Sequence, residues 1–178
     1  MGVDEADLIR ESVNGDESAY ELLLEQHLPS LTNYVMRMMA NTAEADDIIQ
    51  ETFIRLWTHG QTFNPRYAKL TTWLHNIAHN LCIDHFRKHN RMIGEPTEQP
   101  DVEARGPEQG YIQQRQVRSI QEAMMALPEK QRSAIIMCHY QGLSNKDAAA
   151  VIEISIEALE SLMARGRKKL KDILENEY

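Results

Sequence analysis

Residues 43–91 read AEADDIIQETFIRLWTHGQTFNPRYAKLTTWLHNIAHNLCIDHFRKHNR, and the other parts of the chain are best understood around them. Apolar residues recur there every three to four positions, which predicts two amphipathic helices, 43–59 and 72–89, joined by a loop. The charge changes sign on the way. Residues 1–60 carry 3 basic and 12 acidic side chains, whereas residues 61–91 carry 5 basic and 1 acidic. The first helix therefore offers carboxylates to a protein partner, and the second offers cations to a polyanion.

The length of 178 residues fits one or two small domains. No apolar run approaches the ~18 residues of a membrane span, so we expect no membrane insertion. The opening MGVDEADLIRES is acidic and lacks an apolar signal core. Two widely spaced cysteines, Cys82 and Cys138, do not make a disulfide framework. These features predict a cytoplasmic protein.

The fold class predicted is all-α. Helical periodicity extends over residues 4–13, 18–39, 112–126, 129–140, 145–152 and 156–174, and no alternating β-branched run indicates a strand. Residues 92–112 are rich in Pro, Gly and acidic side chains, which is typical of a flexible linker. We therefore expect two small helical domains, residues 1–91 and 113–178, joined by the linker 92–112.

The second domain has the pattern of a helix-turn-helix. Ser144 and Asp147 fit a capping box that opens a short helix, and Ser155 caps the last helix after a three-residue turn. In the last helix the apolar positions leave a basic group from Arg165 to Lys171 at the surface. A plain helical hairpin with a solvated basic end is the alternative interpretation of this pattern.

Three stretches together resemble one protein family. They are DDIIQETFIRLW (46–57), TTWLHNIAHNLCIDHFRK (71–88) and LPEKQRSAIIMCHYQGLSNKDAAAVIEISIEALESLMARGRKKL (127–170). In order and spacing they resemble bacterial RNA polymerase sigma factors of the extracytoplasmic-function (ECF) group, which contain sigma regions 2 and 4. The resemblance implies a protein that is not an enzyme and needs no cofactor. It implies that core RNA polymerase, promoter DNA and an anti-sigma factor are its partners.

The resemblance places the polymerase-binding surface on helix 43–59. The implied residues lie away from the apolar stripe Ile49, Phe53 and Leu56. They are Asp47, Gln50, Glu51 and Ile54. An apolar Ile54 among carboxylates suits a protein interface. The alternative is a solvated acidic face with one stray isoleucine.

Helix 72–89 and the loop before it resemble the part of the family that melts and reads the promoter −10 element. The implied DNA-binding residues are Arg66, Lys69, Trp73, Asn80, Arg87, Lys88 and Arg91. Three of them, Trp73, Asn80 and Arg87, are spaced seven apart and so share one side of the helix. An aromatic ring for stacking, an amide for base edges and a cation for phosphate suit single-stranded DNA. Core packing is the alternative for Trp73.

The last two helices resemble the family's −35 reader. The implied residues are Ser155, Glu157, Glu160, Ser161, Arg165, Arg167 and Lys168. The sequence departs from the family at Glu153, where Gly is usual, and at Glu160 and Leu162, where basic residues are common. Glutamate can accept a hydrogen bond from cytosine N4, but it also repels phosphates. Either the −35 element is unusual or this domain binds DNA weakly.

Two other functions stay open at this point. A dimeric regulator of duplex DNA would explain the helix-turn-helix but not residues 43–91. A sigma-like interaction module that has lost −35 binding would explain Glu160 and Leu162. A zinc site is not expected, because no carboxylate or second Cys completes a ligand set around His75, His79 and Cys82.

Overall fold

The computed structural model describes residues 4–92 and 111–176, with side chains for 4–91 and 117–175. Every regular element among them is helical, which confirms the all-α class. The elements are α1 (Glu5–Val13), α2 (Glu17–Met38), α3 (Thr42–His59), a 3-10 turn (Gly60–Thr62), α4 (Leu70–Met92), α5 (Tyr111–Met125), α6 (Glu129–Ile135) with a π-helical turn (Ile136–Tyr140), α7 (Asn145–Ile152) and α8 (Ile156–Asn176). Of the predicted linker 92–112, only residues 92, 111 and 112 lie within the described residues. In the described part, no helix is long and apolar enough to cross a membrane.

Side chains that cap the first turn start several of the helices. Asp16 Oδ1 accepts from the Ser18 amide at 2.9 Å, and Asn41 Oδ1 accepts from the Ala43 amide at 2.9 Å. At α7 the Ser144 hydroxyl accepts from the Asp147 amide at 3.0 Å. These side chains satisfy amides that have no partner inside the helix, which fixes the first turn.

Three helices differ from what local rules favour. Proline inside a helix favours a kink or a break, but α2 runs unbroken through Pro29, because one missing hydrogen bond is outweighed by buried side chains on both sides of it. α4 begins at Leu70, two residues before the predicted start at residue 72. The helix predicted for 129–140 widens into a π turn, in which the Gln141 amide donates to the Ile136 carbonyl at 3.0 Å.

The N-terminal unit packs α1–α4 around fully buried side chains that include Leu23, Leu56 and Leu74. Gly60 lets α1 approach the end of α3. A Cβ at Gly60 would lie 3.1 Å from Ile9 Cγ2 and 3.2 Å from Val13 Cγ2. A side chain at this position would force Ile9 or Val13 to shift, so this glycine is explained by close packing.

The C-terminal unit packs α6, α7 and α8 around Ile136 and Leu159, both fully buried. Gly166 lies where α8 crosses α6, and a Cβ there would come within 2.7 Å of Ile135 Cδ1. The crossing brings the basic second half of α8 to the surface, where Arg165, Arg167 and Lys168 are exposed.

The turn between α7 and α8 contains a backbone strain that can be measured. Glu153 adopts φ 60° and ψ 48°, a left-handed conformation that glycine tolerates better. We expect Glu153→Gly to raise the free energy of unfolding by up to about 1 kcal/mol. Urea denaturation checks this. In the helical interior of α8, Lys169→Gly should instead lower the same quantity by about 1 kcal/mol. A loss of stability in Glu153→Gly would contradict the prediction.

The two units pack directly on each other. The Tyr34 hydroxyl in α2, His79 Nδ1 in α4 and the Ser133 hydroxyl in α6 lie 2.9–3.1 Å from one another, and all three side chains are buried. Arg132, also buried, donates to the Met38 carbonyl at 2.8 Å. The sequence predicted two domains but contained no indication of this contact.

Burial changes the proton affinity of the groups at this contact. Desolvation lowers the pKa of His79 from 6.5 to about 4, and the charge of Lys130 adds to the effect. Desolvation also lowers the pKa of His75 and raises that of Cys82 to about 12. His79 is therefore neutral at pH 7, and so is the Cys82 thiol.

Acid should weaken the protein through His79. Its pKa is lower in the folded than in the unfolded chain, so its stabilising contribution is complete above pH 6.5 and is lost as the pH falls towards 4. Between pH 7 and pH 5 we expect the free energy of unfolding to drop by about 2 kcal/mol from this group. The groups facing it are Tyr34, Ser133, Lys130 and, through the same buried region, Arg132.

Urea denaturation at the two pH values measures the drop, and His79→Gln provides the control. The variant keeps a polar side chain but cannot take up a proton, so its free energy of unfolding should fall less over the same interval. Equal drops in the wild-type chain and the variant would show that other groups carry the pH dependence.

Candidate nucleic-acid interface

The outer face of α3 presents the combination of residues that the sequence predicts. Asp47 and Gln50 are exposed, and the Ile54 side chain is 53% exposed. On the opposite side Phe53 and Leu56 are buried. α3 thus has one face in the core and one acidic face with an apolar centre.

Glu51 lies on this face but has a partner. Its Oε1 accepts from Arg55 Nε at 2.9 Å, one helical turn along α3, and both side chains are close to half exposed. Exposed ion pairs one helical turn apart contribute only about 0.3–0.5 kcal/mol to the free energy of unfolding. A partner could therefore displace Arg55 at little cost, and the carboxylate remains available.

The C-terminal end of α4 and the preceding loop are the cationic part of the N-terminal unit. Arg87, Lys88 and Arg91 are exposed on the last turns of α4. Arg87 Nη1 lies 3.5 Å from Asp84 Oδ1, a pair that is more than half exposed. In the loop, the Arg66 amide donates to Asn64 Oδ1 at 3.0 Å, which fixes a turn and leaves the guanidinium in solvent.

Trp73 is placed differently from the fully exposed ring that a stacking role suggests. It is half-buried, packs against the core and lies edge-on to Phe63 with ring centroids 5.9 Å apart. Core packing, the alternative interpretation of Trp73, therefore accounts for the buried part of its side chain. Asn80 is exposed, and its Nδ2 lies 3.4 Å from Asn76 Oδ1 on the same side of α4.

The first half of α8 is an exposed polar face. Ser155 caps the helix by accepting from the Ala158 amide at 3.1 Å, and Asn145 Nδ2 lies 3.4 Å from Glu160 Oε1. A hydrogen bond at its own amide and the Ser155 hydroxyl lower the pKa of Glu157. All seven residues that the sequence assigns to −35 binding are exposed on α8 or its cap.

Leu162 is explained by packing. Its side chain is half-buried against the core of the C-terminal unit, so it does not face outward with Glu160. Leu162 therefore occupies a packing position. Having leucine there in place of the family's basic residue does not take a cation away from the outer face of α8. Glu160 remains an exposed departure.

The histidines are placed in structural roles. His75 is buried and its Nδ1 lies 2.8 Å from the Thr71 carbonyl, while His85 stacks on His89 and lies 3.2 Å from Glu44 Oε2. Within the described ranges no group of three or more His, Cys, Asp or Glu side chains is arranged to hold a metal ion.

Sequence reasoning missed the residues at the contact between the units, among them Tyr34, Asn76 and Ser133. Asn76 Nδ2 donates to the Val151 carbonyl at 3.0 Å, which joins α4 to the helix-turn-helix. No spacing or composition signal marks these side chains, because their partners are tens of residues away in the chain.

Two family models match the chain. The model "Sigma-70 region 2" matches residues 23–92, and "Sigma-70, region 4" matches residues 118–170. The chain is 30% identical over 172 residues to the ECF RNA polymerase sigma factor SigM of Mycobacterium tuberculosis, covering 96% of this chain and 84% of the relative. It is 31% identical to the ECF RNA polymerase sigma factor SigE of Mycolicibacterium smegmatis, with 90% of this chain covered but only 64% of that relative's length.

The fold is also found in a solved structure. The sigma factor RpoE of Bartonella quintana, crystallised with the anti-sigma factor NepR, superimposes with a TM-score of 0.73. The alignment covers 88% of this chain and 96% of that one, at 25% identity. The similarity extends over both helical units, so it concerns their arrangement as well as each unit alone.

Proposed function

The chain belongs to the ECF group of RNA polymerase sigma factors, which are transcription initiation factors rather than enzymes, and we propose a binding partner for each of its surfaces. The outer face of α3 binds core RNA polymerase. The loop before α4 and the exposed side of α4 read the −10 element as a single strand. The helix-turn-helix α7–α8 binds the −35 element. Residues 1–91 then act as region 2 and residues 113–178 as region 4.

The observation that carries the proposal is the order of three surfaces along one chain. An acidic face with an exposed Ile54 is followed by a cationic helix end at Arg87 and then by a helix-turn-helix with an exposed basic flank. Protein interfaces favour an apolar centre with a polar rim, and nucleic acids favour cations beside polar side chains. A dimeric DNA-binding regulator needs only the last of these surfaces.

Each DNA-binding surface is suited to a different form of DNA. On α4 and its loop, Arg66, Lys69, Arg87, Lys88 and Arg91 provide phosphate contacts, and Trp73 and Asn80 contact bases. Trp73 is half-buried, so it offers only the exposed part of its ring. On α8, Ser155, Glu157, Glu160 and Ser161 enter the major groove, and Arg165, Arg167 and Lys168 hold phosphates. Carboxylates in the groove favour cytosine over other bases.

An anti-sigma factor is part of the proposal. The similar RpoE is described in complex with NepR. A protein that redirects polymerase needs a means of restraint, and the outer face of α3 and the exposed C-terminal end of α4 are open to competition. We place the protein in the cytoplasm, because promoter DNA and RNA polymerase are there.

A reconstituted transcription assay tests the function. Purified core polymerase and this chain are supplied with fragmented genomic DNA, and run-off transcripts are mapped. The proposed function predicts transcripts that start at specific promoters and that require the chain. Failure of the chain to bind core polymerase would exclude it. Binding without promoter use would instead favour the sigma-like interaction module.

Arg87 tests the phosphate contacts on α4. Arg87→Ala is expected to weaken binding of the polymerase complex to promoter DNA and to reduce the slope of log affinity against log salt by about 0.7. The reason is that one fewer counterion is released. Binding is measured by anisotropy across a salt series. Arg10→Ala, an exposed arginine on α1, is the matched control and should leave the slope unchanged. An unaltered slope in Arg87→Ala would show that Arg87 touches no phosphate.

A further inference from the structure

Glu160, the exposed carboxylate of α8 that departs from the family, is held by a side chain of the preceding helix. Asn145 is the first residue of α7, and its Nδ2 donates to Glu160 Oε1 at 3.4 Å. The hydrogen bond joins the two helices of the helix-turn-helix on their outer side, since both residues are exposed. At this length it orients Glu160 more than it stabilises the fold. Glu160 Oε2 takes no part in this bond and stays available to an outside donor.

The side-chain amide of Asn145 can meet Glu160 in one orientation only. An ionised carboxylate accepts hydrogen bonds but cannot donate them, so the amide nitrogen must face Glu160. The amide oxygen then faces the π-helical turn, where the Cys138 thiol donates to Asn145 Oδ1 at 3.8 Å. Desolvation raises the pKa of Cys138, although the charge of Arg167 opposes this, so the thiol keeps the proton that it donates. Asn145 is therefore held from both sides.

A carboxylate held in this way suits base recognition better than a free one. A glutamate side chain has several rotatable bonds, and fixing them on binding costs conformational entropy. Here the contact with Asn145 orients the Glu160 carboxylate before DNA arrives, so less of the binding energy is lost to that ordering. In the major groove a carboxylate oxygen accepts from the cytosine N4 amino group. Glu160 Oε2 is the atom available for that contact.

The other outward glutamate in the first turns of α8 is engaged differently. Glu157 interacts with its own backbone amide and with the Ser155 hydroxyl, and both hydrogen bonds lower the pKa of its carboxyl. These partners belong to the first turn of α8, where a negative charge also favours the start of the helix. Glu157 thus has a role within its own helix, whereas Glu160 is oriented by a residue of α7.

We infer that Asn145 is a positioning residue for −35 recognition: it holds Glu160 in the orientation that accepts a hydrogen bond from a cytosine amino group. The inference rests on the proposed function, because it takes α8 as the helix that enters the major groove. Asn145 acts through Glu160 rather than by contacting a base. The departure at Glu160 then changes which −35 sequence the protein binds, instead of only weakening its binding.

A double-mutant cycle in the polymerase complex tests this role. The wild-type chain, Asn145→Ala, Glu160→Ala and the double variant are each combined with core polymerase. Each complex selects from a promoter library whose −35 element is randomised, and sequencing of the bound DNA gives the base preference at every position. Both residues are exposed, so the variants should fold, which circular dichroism verifies. A non-additive result identifies two residues that act through one contact.

Glu160→Ala should reduce the preference for cytosine at one base pair by about tenfold. Asn145→Ala should reduce the preference at that same base pair by roughly fivefold, because the carboxylate is then free to turn. In the Glu160→Ala background, Asn145→Ala should have no further effect on any base preference. Lys146→Ala, at the next residue of α7, is the control. It removes an exposed cation and should change the affinity for all library members equally, since contacts to phosphate carry no sequence information.

The outcomes separate the inference from the function on which it rests. An unchanged base preference in Asn145→Ala, or an equal effect of this substitution with and without Glu160, overturns the positioning role and leaves the proposed function intact. An unaltered base preference in Glu160→Ala overturns the positioning role as well, since Glu160 then reads no base. A wild-type complex that selects no promoter sequence overturns the proposed function and the inference together.

Discussion

The double variant Asp47→Arg/Glu51→Arg is expected to bind core RNA polymerase at least roughly 100-fold more weakly than the wild-type chain. Both side chains lie on the outer face of α3, where reversal of two charges sets like charges against a partner that is complementary to carboxylates. The helix itself should persist, because neither residue contributes to the core. Anisotropy or surface plasmon resonance with core polymerase measures the change.

The matched control is Glu21→Arg/Glu25→Arg on α2. These two residues have the same four-residue spacing and are exposed, so the control changes the net charge equally on a different surface. It should bind polymerase within about twofold of the wild type at physiological salt, where distant charges are screened. Comparable losses in both double variants would mean that overall charge, and not the α3 face, controls polymerase binding.

Leu159→Ala is expected to have the largest effect on stability, lowering the free energy of unfolding by about 3 kcal/mol. Leu159 is fully buried near the start of α8 and packs against the core shared with α6 and α7. Truncation to alanine removes apolar contacts and leaves a cavity. The helices around it are held by the turn between α7 and α8, so they cannot move in to fill it. Urea denaturation followed by circular dichroism at 222 nm measures the loss.

Leu22→Ala is the control, because it makes the same leucine-to-alanine substitution at an exposed position. Leu22 has the same side chain and sits in a helix, but it is 48% exposed. We expect it to cost less than about 0.5 kcal/mol, in line with surface substitutions. Similar losses for the two leucines would contradict the burial of Leu159, and with it the described packing of the helix-turn-helix.

Much of the fold could be predicted because its determinants are local. The bounds predicted for the short helix, 145–152, match those of α7, because the capping box at Ser144 and Asp147 is a local signal. The outward position of Ile54 followed from helical spacing against Phe53 and Leu56. Periodicity fixes which residues share a face, and capping residues fix where the face begins.

The candidate site could be predicted only in part. Spacing put Trp73 on one line with Asn80, but the structure shows that its ring is half-buried beside Phe63. Leu162 likewise packs inward although the family carries a cation there. Side chains that lie between the buried and the exposed face of a helix can turn to either side. Helical periodicity alone therefore does not predict whether such side chains are buried or exposed.

By itself, the sequence determined the helices, their buried and exposed faces, and the order of the polymerase-binding and DNA-binding segments. The tertiary structure alone decided that the two helical units lie against each other. The hydrogen bonds that join them connect residues far apart in the chain: 45 positions separate Tyr34 from His79, and 99 separate it from Ser133. Only the tertiary fold brings such distant partners together, so no local pattern of residues indicates the contact.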